Sequence, residues 1–117
     1  MNNTVMTGQL TKEMNIIYLE GGKANASFQL ATEREWVDPD TGSRTMATSY
    51  CDVSLWGDIA EHAVLTLRPG DRVIVTGQLE QRIWTDLGGH VNQRTELVGD
   101  DVGVSIKYRS LDTEGWE

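Results

Sequence analysis

Apolar and polar residues alternate with a period of two along two long stretches of the chain. Between Met46 and Trp56 the odd positions are mostly apolar, while the even positions are mostly polar and include Tyr50 and Trp56. Between Val73 and Trp84 the odd positions are again mostly apolar, and Trp84 closes the outward-facing series. Successive residues of a strand point to opposite faces of its sheet. The pattern therefore predicts two half-buried strands whose outer faces carry large aromatic rings.

Shorter alternating stretches, separated by turn residues, predict strands in the rest of the chain. The expected strands are Thr4–Thr11, Lys23–Glu33, Arg44–Leu55, Arg72–Thr85 and Val91–Val98, with a short extended piece at Ile16–Leu19 and an additional C-terminal strand over Val102–Tyr108. The clusters 38–42 and 86–90 contain Asp and Gly and predict hairpin turns. Between them, apolar residues recur at helical spacing from Asp58 to Leu67. We expect one helix there, with Asp58 as its N-cap and Pro69 beyond its end.

The order of these elements predicts an all-β fold of a specific kind. Three strands, one helix and two further strands form the five-stranded Greek-key barrel called the OB-fold. The four-residue sequence that begins at Thr7 recurs from Thr76, with glycines at Gly8 and Gly77. A glycine within a strand marks a bulge or a sharp bend, which a small barrel needs. A chance match of four residues is the alternative explanation.

Composition limits the classes of function that the chain can have. Its 117 residues suffice for one domain with a single core. Cys51 is the only cysteine, and His62 and His90 have no partners at the spacing of metal ligands. We find no signal-peptide pattern and no apolar run of membrane-spanning length, so we expect a cytoplasmic protein. The sequence offers no activated nucleophile or phosphate-binding loop, and we expect neither an enzyme nor a cofactor.

The charge of the chain is a mixed signal for nucleic-acid binding. The net charge of −8 comes from 10 bases and 18 acids, whereas non-specific binding depends on Lys and Arg at phosphates. The bases near the ring-bearing strands and their hairpin ends are Arg34, Arg44, Arg82 and Arg94. Glu33, Glu35 and Asp52 also lie close to the rings, and we expect them to weaken phosphate contacts.

Rings displayed beside polar groups suit two kinds of function. Unpaired bases stack on aromatic side chains of a sheet, whereas a protein interface or a second apolar layer would bury the same rings. Trp36 stands apart, because it shares the parity of Phe28 and Leu30, which should face the core. Either the strand ends by Glu33, or a bulge turns the Trp36 ring outward.

Four segments, in the right order, resemble one known family. GKANASFQLAT at 22–32, VSLWGDIAE at 53–61 and RPGDRVIVTGQL at 68–79 resemble segments of bacterial single-stranded-DNA-binding proteins, which have the OB-fold. Trp84 and the two residues after it fall where the fourth strand of that family ends. The resemblance covers residues 4–109. It suggests either an actinobacterial or a phage-encoded member of the family.

The resemblance implies a function and a set of site residues. Members of this family stack DNA bases on four aromatic positions, which correspond here to Trp36, Tyr50, Trp56 and Trp84. They commonly form a homotetramer around which single-stranded DNA wraps. The implied roles are protection of single-stranded DNA in replication, recombination and repair, in the nucleoid of a bacterial cytoplasm. An acidic C-terminal tip would dock partner proteins.

The chain also departs from the family pattern. Tyr50-Cys51-Asp52 stands where the family often has a Trp-His-Arg type sequence, so an acid replaces a base. The segment Val104–Tyr108 resembles the extra C-terminal strand of actinobacterial members. We expect an OB-fold domain over residues 1–109 and a short acidic tail over 110–117. The alternative function is that of an OB-fold protein-interaction module, or of a paralogue with reduced DNA affinity.

Overall fold

The computed structural model describes residues 3–107, and its elements follow the predicted order. The strands are β1 (Thr4–Leu10), β2 (Asn15–Tyr18), β3 (Ala24–Val37), β4 (Arg44–Trp56), β5 (Arg72–Thr85) and β6 (Val91–Val104), and the helix α1 (Asp58–Thr66) lies between β4 and β5. The sheet runs β1-β5-β6-β4-β3, and a further pairing of β3 with β1 closes it into a barrel. The short strand β2 pairs with β3 beside this closure. The predicted OB-fold is therefore confirmed.

The core fills the inside of this barrel. Val53, Leu55, Val73 and Val75 are each at most 1% exposed, so their predicted inward parity is confirmed. Leu97 of β6 is fully buried beside them. Alternation along β4 and β5 therefore identifies the residues that the barrel encloses.

Two hairpins extend beyond the barrel. The β3–β4 ladder runs without a break as far as the pair Val37–Arg44, and the β5–β6 ladder runs to Thr85–Val91. We call residues 33–48 the β3–β4 arm and residues 80–95 the β5–β6 arm. Most side chains on both faces of each arm are exposed.

The arms explain where the predicted inward parity fails. Leu79 and Ile83, which we expected in the core, are 51% and 65% exposed. Their face of β5 is the core face, but the hairpin carries it past the barrel, where the described residues supply no second layer. The expectation is wrong because parity determines which face a residue occupies, and the surrounding elements determine whether that face is covered.

The helix begins differently from the sequence prediction. Gly57, not Asp58, is the N-cap residue, and no side-chain hydrogen bond caps the helix. Gly57 has φ 78°, a left-handed conformation that glycine adopts without a steric penalty. Asp58 is the first helical residue, where its negative charge is favourable at the positive end of the helix dipole.

The two glycines of the repeated sequence lie at close backbone approaches. A Cβ atom at Gly8 would lie 2.5 Å from the carbonyl oxygen of Ala31. A Cβ atom at Gly77 would overlap the carbonyl oxygen of Val98, and the β5–β6 register shifts at Gly77. The bulge expected from the repeat is therefore confirmed at Gly77, and both positions require a residue without a side chain.

The expected C-terminal strand is not a separate element. Val102–Val104 is the end of β6 and pairs with Val73–Val75 of β5. Residues 105–107 are outside any strand, although the Ser105 amide still donates to the carbonyl of Arg72. Tyr108 and the predicted tail, 110–117, lie outside the described residues.

Candidate nucleic-acid interface

Strand pairing places three of the four predicted rings on one side of the sheet. Trp56 pairs with Asn25 of β3, and Tyr50 pairs with Ala31. Residues opposite each other in a ladder share a face, so these pairs lie on the side of β4 away from the core. We call this side the outer face. Trp84 pairs with Asn92 of β6 and shares this face.

The arginines connect the outer faces of the two hairpins. Arg82 and Arg94 are direct partners in the β5–β6 ladder, two residues from the Trp84 pair. Arg94 Nε lies 3.1 Å from Asp52 Oδ2 on β4. The two ring-bearing strands therefore contribute to one continuous surface, although β6 lies between them.

The rings on the outer face differ in exposure. Tyr50 is 62% exposed and Trp84 is 47% exposed, whereas Trp56 is partly buried. Lys23 Nζ lies 5.5 Å from the centre of the Trp56 ring, within the range of a cation–π attraction. Ile17 of β2 is next to Asn25 in the same cross-strand row and widens the apolar surface beside Trp56.

Trp36 lies on the other side of the β3–β4 arm. It pairs with Thr45, on the face that belongs to the core within the barrel, and it is 42% exposed. Both explanations offered from the sequence are wrong, because β3 continues to Val37 and its register with β4 does not shift. The ring is exposed because the arm extends beyond the barrel, where none of the described core residues covers it. The guanidinium of Arg34 lies 5.0 Å from the centre of this ring.

Acids pair with three of the four predicted DNA-binding arginines. Arg44 Nη1 lies 3.4 Å from Glu35 Oε1, and Arg94 is held by Asp52. Arg82 Nη2 lies 2.9 Å from Oε1 of Glu96, which is almost completely buried. Glu35 and Asp52 were expected near the rings. Glu96 was missed, because its position on the outer face depends on the pairing of β6 with both β4 and β5.

A polar pocket of about 190 Å³ opens on the outer face. It is lined by Lys12, Glu13, Asn15, Ser27, Phe28, Gln29, Asp52 and Arg94. The hydroxyl of Thr11 lies 3.2 Å from Oε1 of Gln29 and can donate to it. Sequence analysis missed this pocket, although the polar residues of β3 alternate with its buried ones. The gap is enclosed by the β1–β2 connection and β6, which are remote from β3 in sequence.

Two ionisable groups near this surface have shifted pKa values. Burial raises the pKa of the Cys51 thiol, and the negative charge of Asp52 raises it further. At the end of the β5–β6 arm, the amide of His90 and the side chain of Asn92 donate hydrogen bonds that lower the pKa of Asp86. Cys51 is therefore a protonated, partly buried side chain beneath the interface, and ionised Asp86 stabilises the hairpin loop.

Neither a metal site nor a membrane-spanning helix occurs among the described residues. Within residues 3–107, no group of three or more His, Cys, Asp and Glu side chains is arranged to hold a metal ion. The helix in this part of the chain is too short and too polar to span a membrane.

A family model matches the sequence of this chain, and a solved structure matches its fold. The family model of the Single-strand binding protein family matches residues 1–105. The chain belongs to this family. The fold of this single-strand binding protein is also similar to that in the structure "Plasmodium falciparum SSB complex with ssDNA", with a TM-score of 0.82 and 27% sequence identity. That match covers 90% of this chain and 95% of the Plasmodium chain. The family resemblance seen in the sequence is confirmed.

Proposed function

We propose that this single-strand binding protein binds single-stranded DNA with little overall sequence preference, by stacking bases on Tyr50, Trp56 and Trp84. The observation that carries the proposal is the position of these three rings on one outer face, beside Arg82 and Arg94. Membership of the family supports it, as does the complex of the similar Plasmodium protein with ssDNA. Every base has a π-face, so stacking tolerates any sequence.

Cations behind two of the rings support a stacking role. Lys23 lies against Trp56 and Arg34 lies against Trp36. A base stacked on the open face of such a ring would leave the cation within reach of the adjoining backbone phosphates. Under this proposal Trp36 contacts a part of the strand that passes to the other side of the β3–β4 arm.

The paired arginines would contact phosphates by exchanging partners. Arg44, Arg82 and Arg94 each have an acid within salt-bridge distance, and the arginine side chains are 78%, 56% and 51% exposed. Ion pairs between exposed side chains are weak, so a phosphate can replace the carboxylate at Arg44 and Arg94. The Glu96 partner of Arg82 is almost completely buried, so a phosphate there would share the guanidinium with Glu96 rather than displace it. A phosphate contact that replaces an existing ion pair adds less binding free energy than a contact with an unpaired arginine. Stacking is therefore the larger contribution to the free energy of DNA binding.

We also propose a homotetramer with roles in DNA replication, recombination and repair in the cytoplasm. The edge of β1 over Thr4–Gly8 that faces away from β5 has no strand partner among the described residues, and Val5 is 66% exposed. Exposed strand edges are available for pairing with another chain. Light scattering at micromolar concentration should return the mass of four chains, and a monomer would contradict this assembly. The role proposed is binding rather than catalysis.

A second function is favoured by one specific observation. Because the acids Glu35, Asp52 and Glu96 are next to the arginines, the outer face has less positive charge than its arginines alone would supply. A protein-interaction module, or a paralogue with reduced DNA affinity, would tolerate this arrangement. The exposed rings favour DNA binding, because a surface without bases to stack has no need of them.

Tryptophan fluorescence distinguishes these functions. We expect oligo(dT) to quench the emission of the protein, because stacked bases would cover Trp56 and Trp84. A duplex of the same length at equal concentration is the control. Its bases are already stacked on one another, and it should cause little quenching. Equal affinity for the duplex and the single strand would contradict the proposed function.

A further inference from the structure

The polar pocket on the outer face lies between two of the proposed stacking rings. Along β4, outer-face residues follow in the order Tyr50, Asp52, Ser54 and Trp56. At about 3.4 Å per residue, Asp52 is roughly 7 Å from Tyr50 and roughly 14 Å from Trp56 along the strand. The direct path between the two rings along β4 therefore passes Asp52, which is in the wall of the pocket of about 190 Å³.

Asp52 and Arg94 form an acceptor–donor pair at the wall of this pocket. Arg94 uses Nε to donate to Asp52 Oδ2, at 3.1 Å. A guanidinium has about five N–H donors and a carboxylate about four acceptor positions, so each partner retains capacity for a ligand. Their side chains are 51% and 38% exposed, and both line the pocket.

The remaining wall residues define the shape and polarity of the pocket. Phe28 is buried in the core cluster, so the side chains that line the pocket are the polar ones of the outer face, and Gln29 has its amide oxygen beside the Thr11 hydroxyl. With that oxygen engaged, the amide nitrogen of Gln29 is the group available to a ligand as a donor. A small molecule with adjacent donor and acceptor atoms on one edge matches the Asp52–Arg94 pair at the wall of such a cavity. A nucleobase has this chemistry.

We propose that the pocket binds one cytosine base of the bound strand, with Asp52 accepting from its exocyclic amine and Arg94 donating to its ring nitrogen. This inference rests on the proposed function, because the strand is brought to the pocket by the neighbouring rings. It adds a base preference at one position to binding that is otherwise tolerant of sequence.

The pairing chemistry separates cytosine from thymine. Carboxylates accept hydrogen bonds from the amine at position 4 of cytosine. Thymine has a carbonyl oxygen at that position, which would face the Asp52 carboxylate with no proton between the two oxygens. Both pyrimidines have a single ring, so the difference is one of hydrogen bonding rather than size.

The test compares the affinities for oligo(dC) and oligo(dT) of equal length. A homopolymer presents the same base to the pocket in every register of binding. The measured affinity therefore reports on that base even when the protein slides along the strand. We measure the dC/dT affinity ratio for the wild type and for Asp52→Asn, whose amide can rotate to donate to the thymine carbonyl. The ratio should fall about tenfold in Asp52→Asn, the discrimination expected of one good base-edge pair.

Glu35→Gln is the matched control variant. It also converts an arginine-paired acid into an amide, but Glu35 is on the β3–β4 arm and does not line the pocket. Its dC/dT ratio should equal that of the wild type. Because each ratio is compared with the wild-type ratio, differences in the stiffness of the two homopolymers cancel.

A second measurement needs no variant. An oligomer of 2-pyrimidinone nucleotides lacks the exocyclic amine of cytosine, and it should bind the wild type several-fold more weakly than oligo(dC). An unchanged dC/dT ratio in Asp52→Asn, or equal binding of the 2-pyrimidinone strand and oligo(dC), would overturn the pocket assignment. If both homopolymers quench tryptophan fluorescence, the proposed function stands even when the pocket assignment fails. If neither quenches it, the proposed function itself is wrong.

Discussion

Strands β3 to β6 contribute to both the barrel and the arms, yet the same alternation has different consequences in each. Leu79 and Leu97 are direct partners in the β5–β6 ladder and share a face, but Leu97 is fully buried and Leu79 is 51% exposed. Leu97 has the opposite wall of the barrel above it, whereas Leu79 is where the hairpin leaves the barrel. Strand pairing therefore determines which face of the sheet a side chain occupies. The side chain is buried only where another part of the fold covers that face.

The difference also explains where the proposed binding residues lie. Within the barrel, one face of β4 is occupied by the core and only the outer face is available to a ligand. In the arms both faces are exposed, so Trp36 and Trp84 can be displayed although their parities differ with respect to the core. Uncovered arms thus add binding surface without adding to the core.

The largest expected effect compares Leu97→Ala with Leu79→Ala. Leu97→Ala should lower the free energy of unfolding by about 2–5 kcal/mol, because it leaves a cavity in the barrel. Leu79→Ala should cost about 1 kcal/mol or less, because half of its side chain is already in water. Denaturant unfolding followed by circular dichroism measures both. Equal losses would show that the β5–β6 arm is covered in solution, for example by another subunit.

The second comparison removes the rings one at a time. Alanine at Trp36, Trp56 or Trp84 should weaken binding of oligo(dT) by about 1–3 kcal/mol each, the usual contribution of one base–aromatic stack. Tyr50→Ala should lie at the low end of this range, since its ring is smaller. Trp116→Ala is the control, because the family resemblance assigns no base to that residue. The affinities come from fluorescence anisotropy of a labelled strand.

The result for Trp36 tests the role of the arm directly. A loss at Trp36 similar to that at Trp56 would mean that the strand contacts both sides of the β3–β4 arm. No loss at Trp36 would restrict the binding surface to the outer face. If Trp116→Ala were the most damaging of the five variants, the assignment of the outer face would be wrong.

Neutralising Asp52 should strengthen binding to oligo(dT). In Asp52→Asn, Arg94 loses its carboxylate partner and becomes available to phosphate, a gain of about 0.2–1 kcal/mol by analogy with exposed ion pairs. The gain should be larger at low salt, where screening is weakest. Asp58→Asn is the control, because it removes an equal charge from the start of α1. A weaker affinity at every salt concentration would mean that Asp52 holds Arg94 in the orientation that binds DNA.

Salt dependence should separate the arginines of the β3–β4 arm. Each phosphate neutralised on a single strand contributes about −0.7 to the slope of log affinity against log salt. Arg34→Gln should reduce the slope by about this amount, since Arg34 contacts a ring and has no ion pair among the described residues. Arg44→Gln should reduce it less, because Glu35 already offsets its charge. Identical changes would show that the Glu35 pair does not persist in solution.

The smallest effect concerns Cys51, on the barrel side of this comparison. Burial raises the pKa of its thiol, so the folded state holds this proton more tightly than the unfolded state does. The resulting stability is present below the unfolded pKa of about 8.5 and is lost as the pH rises above it. Iodoacetamide at mildly alkaline pH should therefore react more slowly with the native protein than with the protein in urea. Equal rates would mean that Cys51 is accessible and ionised in the fold.

Local pattern was sufficient to predict the fold and part of the candidate site. The alternation along β4 and β5, the single helical stretch and the order of the elements identify the OB-fold. The same alternation places Tyr50, Trp56 and Trp84 away from Val53 and Val75. These features follow from the two-residue period of a strand, which is a property of neighbouring residues.

Only the tertiary structure determined where the core ends and which charges meet. Leu79 and Trp36 have the parity of core residues but are exposed, because their strands extend beyond the opposite wall of the barrel. The pairing of Arg94 with Asp52 joins residues 42 positions apart, and it depends on β6 lying parallel to β4. Burial and ion pairing depend on the elements that the fold brings alongside a strand, and a strand's own sequence does not contain that information.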